Sequence, residues 1–193
     1  VSDLNTIAGK TAGVVTATLA STAKADLVAL STASTDVITI PVSDTVSVSE
    51  LNAIAGKTGG PVTATVTTGN TASFSSLATD ANDIITININ DNPSVSDLNT
   101  IAGKTGGVVT ATLATGNTAS FSGLNTAATD DITININDNP SVTDLNTIAG
   151  KTAGVVTATL ATGNTASFSA LNTAATDVIT ININDNPSVT DLN

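Results

Sequence analysis

Cysteine, methionine, tryptophan, tyrosine, histidine and arginine are all missing from this 193-residue chain, and its only aromatics are Phe74, Phe121 and Phe168. Without cysteine there is no disulfide frame, and without cysteine or histidine there is no thiolate or imidazole site for a transition metal. The same absence removes the usual nucleophiles and general bases. No glycine loop opens a helix in the manner of a phosphate cradle, so the chain reads as a non-enzyme. Cations are also scarce. Five lysines against sixteen acids leave a net charge of −11, which excludes nucleic acid as a partner, because phosphate binding requires a cationic surface. It also disfavours docking on anionic lipid. No apolar run approaches the ~20 residues of a membrane span, so no membrane insertion is expected.

What is present is repetition. Val95–Ser141 returns almost letter for letter as 142–188, changing only at Ser96/Thr143, Gly106/Ala153, Gly123/Ala170 and Asp131/Val178. Looser copies occupy 48–94 and 1–47, the first being the most divergent, and 189–193 begins a further one. A fixed period of 47 without insertions is the mark of a solenoid or array, in which each unit packs only on its neighbours. The frame predicts a segment of a longer array. Its apolar residues are nearly all Ala, Val, Leu and Ile, which suits thin stacked layers rather than a wide globule.

Each copy divides into two related halves. In the third, Ser96 is positioned to cap a short helix carrying Leu98, Ile101 and Ala102 on one stripe, and glycines after Ala102 end it. Val109, Ala111 and Leu113 then alternate with threonines, the period of a half-buried strand. Asn117 or Thr118 caps a second short helix with Phe121 and Leu124, and Thr129-Asp130 breaks it. A second strand follows with Ile132, Ile134 and Ile136 facing inward, closed by Asp138-Asn139-Pro140-Ser141. Phe121 lies 23 residues after Leu98, and Leu145 lies 24 after Phe121. The elementary unit is therefore a helix–strand coil of 23–24 residues, and such minimal crossovers make strands parallel. In the first copy, Pro41 falls inside the strand pattern, which suits a strand end or a bulge.

The expected fold is an α/β repeat solenoid with one parallel sheet and short helices opposite. Helices need ~8–10 Å between axes and strands ~4.8 Å, so such a stack should curve. The alternative makes 47 residues a single turn, with the two strand types in separate facing sheets. Tandem immunoglobulin-like domains would leave the helix signals unexplained.

Several recurring residues are candidate sites. Thr110 and Thr112, with Thr133, Asn135 and Asn137 on the next strand, face outward, and stacked in register they would form hydroxyl and amide ladders. These are read either as a solvated sheet face or as a surface for glycan, or for ice if flat. Asp91, Asp138 and Asp185 in the Asp-Asn-Pro-Ser corners are candidate calcium ligands or ordinary turn residues. Lys10, Lys57, Lys104 and Lys151 recur at one position, where they complement a helix C-terminus or would serve a Lys–Asn cross-link. No cofactor other than calcium comes into consideration.

The run Asp-Leu-Asn-x-Ile-x-x-x-Thr-x-Gly-Val-Val-Thr-Ala-Thr followed by Ile-Thr-Ile resembles tandem repeats of giant cell-surface proteins of aquatic bacteria, notably marine cyanobacteria. The resemblance spans the whole chain and brings no catalytic motif. It implies an extracellular or cell-surface scaffold, adhesin or fibre. Two roles are expected on these grounds. One is a structural stalk, fibre or scaffold module with copies of itself as end-to-end partners, bacterial or viral. The other is an adhesin-type module that recognises cell-surface glycan through its Thr/Asn face.

Overall fold

The computed structural model describes residues 1–192, with side chains described through 190. It resolves two compact units, Val1–Asp91 with Thr100–Val109, and Asn92–Asn99 with Thr110–Asn193. The architecture is α/β, short helices alternating with parallel strands along a repeated helix–strand coil.

In the first unit the order is α1 (Ser2–Ala8), β1 (Thr16–Thr18), α2 (Lys24–Leu27), β2 (Val37–Val46), α3 (Val48–Ala55), β3 (Val62–Val66), α4 (Thr71–Phe74) and β4 (Ile84–Asn88). Its strands pair in sequence order and in parallel. After α5 (Val95–Ala102), the second unit repeats the scheme with β5 (Val109–Thr112), α6 (Thr118–Phe121), β6 (Asp131–Asn135), α7 (Val142–Ala149), β7 (Val156–Thr159), α8 (Thr165–Phe168) and β8 (Val178–Thr180). A 3₁₀ turn, Val189–Leu192, follows. Within each unit, successive strands pair with one another, so both strand types belong to the same sheet and the alternative with two facing sheets is ruled out.

The alternation in the sequence becomes the core. Val109, Ala111 and Leu113 are buried, as are Ile132, Ile134 and Ile136, and Leu145, Ile148, Phe121 and Leu124 close the layer from the helix side. At ~1.5–3 kcal/mol for each large aliphatic removed from water, this burial holds helices that are too short to form alone. The long helices start two residues earlier than the sequence suggests. Ser94, not Ser96, caps α5: its Oγ accepts from the Asp97 amide at 3.1 Å and donates to the Asp97 carboxylate at 2.7 Å. Ser141 and Asp144 repeat this, and Ser47 with Glu50 completes a reciprocal capping box. The signal was the acid three residues after the earlier serine. Asn117 caps α6 as expected, accepting from the Ser120 amide. Pro41 pairs with Thr63 immediately before a bulge in β2, and the ladder resumes at Thr45 with Thr65.

Close approach of backbones decides where glycine is required. A Cβ on Gly60 would stand 2.7 Å from the Ile38 carbonyl oxygen, on Gly107 2.5 Å from that of Ile85, and on Gly154 2.6 Å from that of Ile132. No glycine here has a positive φ, so the demand is for space. Gly123 meets nothing within 4 Å, and its counterpart is Ala170. Gly107→Ala is expected to lower stability by about 1–3 kcal/mol through overpacking, whereas Gly123→Ala leaves it unchanged or raises it by up to about 1 kcal/mol. Urea titrations of the two variants against the parent chain test this contrast.

Candidate functional site

The polar side chains that recur every 47 residues form three kinds of bridge between successive coils. The first is a buried aspartate at the entry to every second strand. Asp83, 8% exposed, accepts from the Val62 amide of the preceding coil at 2.7 Å and from its own turn at the Asp80 amide. Asp36 does the same for Val15 and Ala33, and Asp177 for Val156 and Ala174. The amides of Val15 and Ala33 hold the Asp36 carboxyl below the usual carboxylate value, against a smaller desolvation effect.

The second bridge is a threonine at the corresponding place in the alternate coils. Thr105 Oγ1 accepts from the Ile85 amide at 2.7 Å and from the Gly107 amide at 2.8 Å, and it reaches the Asp83 and Ile85 carbonyls as donor. Thr58 and Thr152 repeat this on Ile38 and Ile132. The third bridge lies on the helix side. Asn146 donates through Nδ2 to the Ala170 carbonyl and accepts through Oδ1 from the Asn172 amide, each at 2.8 Å. Asn5, Asn52 and Asn99 do likewise. An amide is the side chain that supplies one donor and one acceptor in this way.

The corner aspartates belong to the same system. Asp91 Oδ1 accepts from the Thr71 hydroxyl at 2.6 Å and from the Thr71 amide at 2.9 Å, at the first turn of α4. Asp138 holds Thr118 identically, and Asp185 holds Thr165. In the first copy, Asp44 accepts from the Lys24 amide. The Thr71 and Thr118 hydroxyls, helped by the backbone, lower the pKa of Asp91 and Asp138, with partial desolvation opposing. These carboxylates bridge to the coil before, and among the described residues no group of three His, Cys, Asp or Glu side chains gathers as a metal site.

The outward strand face differs from the expected ladders. Thr110 lies opposite Asp131 and Thr112 opposite Thr133, an offset of 21 residues, whereas Ile134 lies opposite Val156, an offset of 22. Two steps of the sheet thus advance 43 residues while the sequence repeats every 47, so equivalent residues slide by four positions, ~13 Å along the strand. A row from Thr110 through Asp131 reaches position 153, not Thr157. The outer rows consequently mix residues. Thr112 has Thr133 beside it, but Asn135 has Thr157. Among the described residues no side-chain hydrogen bond links the Asn135 or Asn137 carboxamide to another one across the strands. A regular hydroxyl lattice of the kind ice recognition needs is not formed within either unit.

The recurring lysines diverge. Lys57 Nζ donates to the backbone carbonyls of Leu30 and Val28, where it complements the end of α2. Lys10 is exposed. Only the first copy adds Lys24, whose ammonium lies 3.1 Å from Glu50 Oε1. The Ser47 amide, the Lys24 ammonium and the Ser47 hydroxyl together pull Glu50 from 4.5 down to about 2. This pair borders an open recess of about 490 Å³ with Ala25, Val28, Ala53 and Lys57. Lys24 and Val28 stand where the other copies have a threonine and a serine, so these two lining side chains are particular to the first copy.

The exposed aspartates were visible in the sequence, but the Ser94 cap, the buried Asp36 series and the Thr58 and Asn5 series were missed. Their signal was present, since each is invariant through the copies that contain it. In sequence, Asp130 reads as part of a helix break and Asn99 carries no assigned role, because neither stands near its partner along the chain. No protein-family profile, curated protein or solved structure matches this chain. No described helix is long and apolar enough to cross a membrane.

Folded-state pKa values lie below the unfolded ones for Glu50, Asp36, Asp91 and Asp138. Their contribution to stability is therefore complete above the unfolded values and is lost as pH falls through the folded ones. The denaturation midpoint should stay level down to about pH 5 and decline between about 4.5 and 2, a course that urea titrations across pH will follow. Asp138→Ala should lower the midpoint equally in EDTA and in excess calcium, because the lost partner is Thr118. A calcium-dependent difference in thermal melts would contradict that assignment.

Proposed function

We propose that this chain is a structural repeat module of a long extracellular or cell-surface protein, serving as a stalk, fibre or scaffold. The observation that carries this reading is the use made of the recurring polar groups. Each of the aspartate, threonine and asparagine series is committed to joining one coil to the next. A recognition surface gains from variation between repeats, whereas a spacer needs only that each joint be as sound as the last. The last two full copies differ at four positions in 47, and Asp131 and Gly123, two of the four, are exposed. The resemblance to surface-protein repeats points the same way.

If the copies act as one stack, stability rises with their number because each added copy brings another interface. Chains of two, three and four copies should melt at successively higher temperatures. Removing residues 95–141 should preserve folding, since it leaves every lock facing its proper partner. Removing only 95–117 brings Ser94 to Thr118 and sets two coils of the same kind against each other, so cooperative unfolding should be lost. Equal melting temperatures for all copy numbers would reject the stack and favour independent domains.

The second reading is an adhesin-type glycan module. It is favoured by the exposed Thr112 and Asn137, whose side chains carry no hydrogen bond within the chain. Glycan-array binding that disappears in a Thr110→Val, Thr112→Val double variant would support it, and an array without signal would dismiss it.

A further inference from the structure

The open recess of about 490 Å³ between α2 and α3 is lined differently from the matching place between α6 and α7. There Thr118, Ser122 and Thr147 stand where the recess has Lys24, Val28 and Ala53, and Asp144 stands where it has Glu50. Three hydroxyls are thus exchanged for methyl and methylene groups at one spot. Ser122 and Thr147 donate only to their own helix, at the Ala119 and Thr143 carbonyls, so the exchange orphans no partner on another element. Val28 is 75% exposed, and Ile54, which lines the recess behind it, is 3% exposed. The apolar wall lies on the flank of the second and third coils, where an added repeat would not cover it.

Its two ends are closed by lysines in unlike states. Beside the start of both helices, the Lys24 ammonium is neutralised by Glu50 at 3.1 Å. Beside the end of both helices, Lys57 donates to the Val28 and Leu30 carbonyls. An ammonium carries three donors and no acceptor, so Lys57 keeps one N–H beyond those two bonds. Among the described residues its ammonium has no carboxylate partner, although the chain carries a net charge of −11.

We propose that this recess binds an aliphatic carboxylate. Its hydrocarbon part lies along Ala25, Val28 and Ala53, and its carboxylate accepts from the Lys57 ammonium. A mostly apolar hollow with one placed polar group is the usual make-up of a small-ligand site, and a charge-assisted bond to an ammonium favours an anion over a neutral acceptor. Glu50 does not repel the incoming group, since Lys24 and Ser47 already hold it. Between α6 and α7 the equivalent Lys151 faces a wall with hydroxyls, so the apolar half of the site is missing there. The same chemistry is offered by a fatty acid and by the leucyl C-terminus of a polypeptide. The proposal goes beyond the module reading and does not rest on it, because a stalk with a ligand site on one copy remains a stalk.

Amide shifts of the isotope-labelled full chain, followed by nuclear magnetic resonance as sodium octanoate is added, test the site. Saturable shifts are expected at α2, at α3 and at Lys57, and octylammonium at the same concentration should produce none there. A Val28→Ser, Ala53→Thr double variant carries the residues native to α6 and α7, so it keeps the fold, and it should bind octanoate about tenfold more weakly. Lys57→Met should lose the preference for octanoate over octanol, with Lys57→Gln in its place if the spectrum shows unfolding. In the reverse direction, Thr118→Lys, Ser122→Val, Asp144→Glu and Thr147→Ala together should add a second set of shifts at α6 and α7, around Lys151. A peptide ending in Leu-Leu with a free carboxylate, titrated beside octanoate, names the source by which of the two binds more tightly. No saturable shift with either probe, equal binding of octylammonium, or undiminished binding by the double variant would overturn the site.

Discussion

Everything in this fold depends on how the backbone amides at the entry to each strand are satisfied. A strand of three to five residues offers few ladder bonds, and an amide left unpaired at a buried coil junction would cost about as much as one of those bonds contributes. The chain meets this with side chains placed 20 or 21 residues further on. Asp83 reaches back to Val62, and Thr105 reaches back to Ile85. Each coil is thereby completed by its successor. On the helix side the dependence runs forward, since Asn52 holds the carbonyl of Ser76 and the amide of Ala78. No coil is self-sufficient, and the locking is reciprocal.

The second constraint is thickness. Parallel strands spaced ~4.8 Å apart leave little room where the chain turns from helix into strand. Gly60, Gly107 and Gly154 lie within Cβ-clash distance of the strand before. The threonine two residues ahead of each uses the same close approach to hydrogen-bond that strand. The near absence of aromatics has the same origin. Phe74 and Phe121 are buried at the helix edge of the layer, where a large side chain fits, and the strand side is filled by Val, Ala and Ile. A chain rich in tyrosine or tryptophan would force the coils apart and break the short bonds between them.

This explains which parts of the structure were legible beforehand. Periodicities of two and of about 3.6 placed the strands and long helices, and Ile132, Ile134 and Ile136 pointed inward as read. The 23–24-residue unit also implied parallel strands. The capping serine was displaced by two residues because Ser94 and Ser96 are both good caps, and only the acid at Asp97 distinguishes them. The outer face departs from regular ladders because equal spacing in sequence is not equal height in the sheet. The turns consume more residues than the register advances, so Thr110 and Thr157 are displaced along the strand. The Asp36, Thr58 and Asn5 series were hidden for a related reason. A partner 20–26 residues away makes no local pattern, and only the copies laid against one another single it out.

The two kinds of lock also explain why the sequence repeats at 47 and not at 23. The strands of odd coils receive an aspartate from the even coil that follows, as Val62 does from Asp83. The strands of even coils receive a threonine followed by glycine, as Ile85 does from Thr105 and Gly107. An aspartate can reach the amide from its own turn because its second carboxylate oxygen takes a local amide, at Asp80 for Asp83. A threonine has one oxygen, and must bring its backbone to within glycine distance to serve two amides. Each solution shapes the turn that carries it, so the two cannot be exchanged one coil at a time. The pair is the smallest unit that restores its own starting geometry. An array of such pairs can lengthen by whole copies without redesigning a joint, which is the property that a spacer of variable length requires.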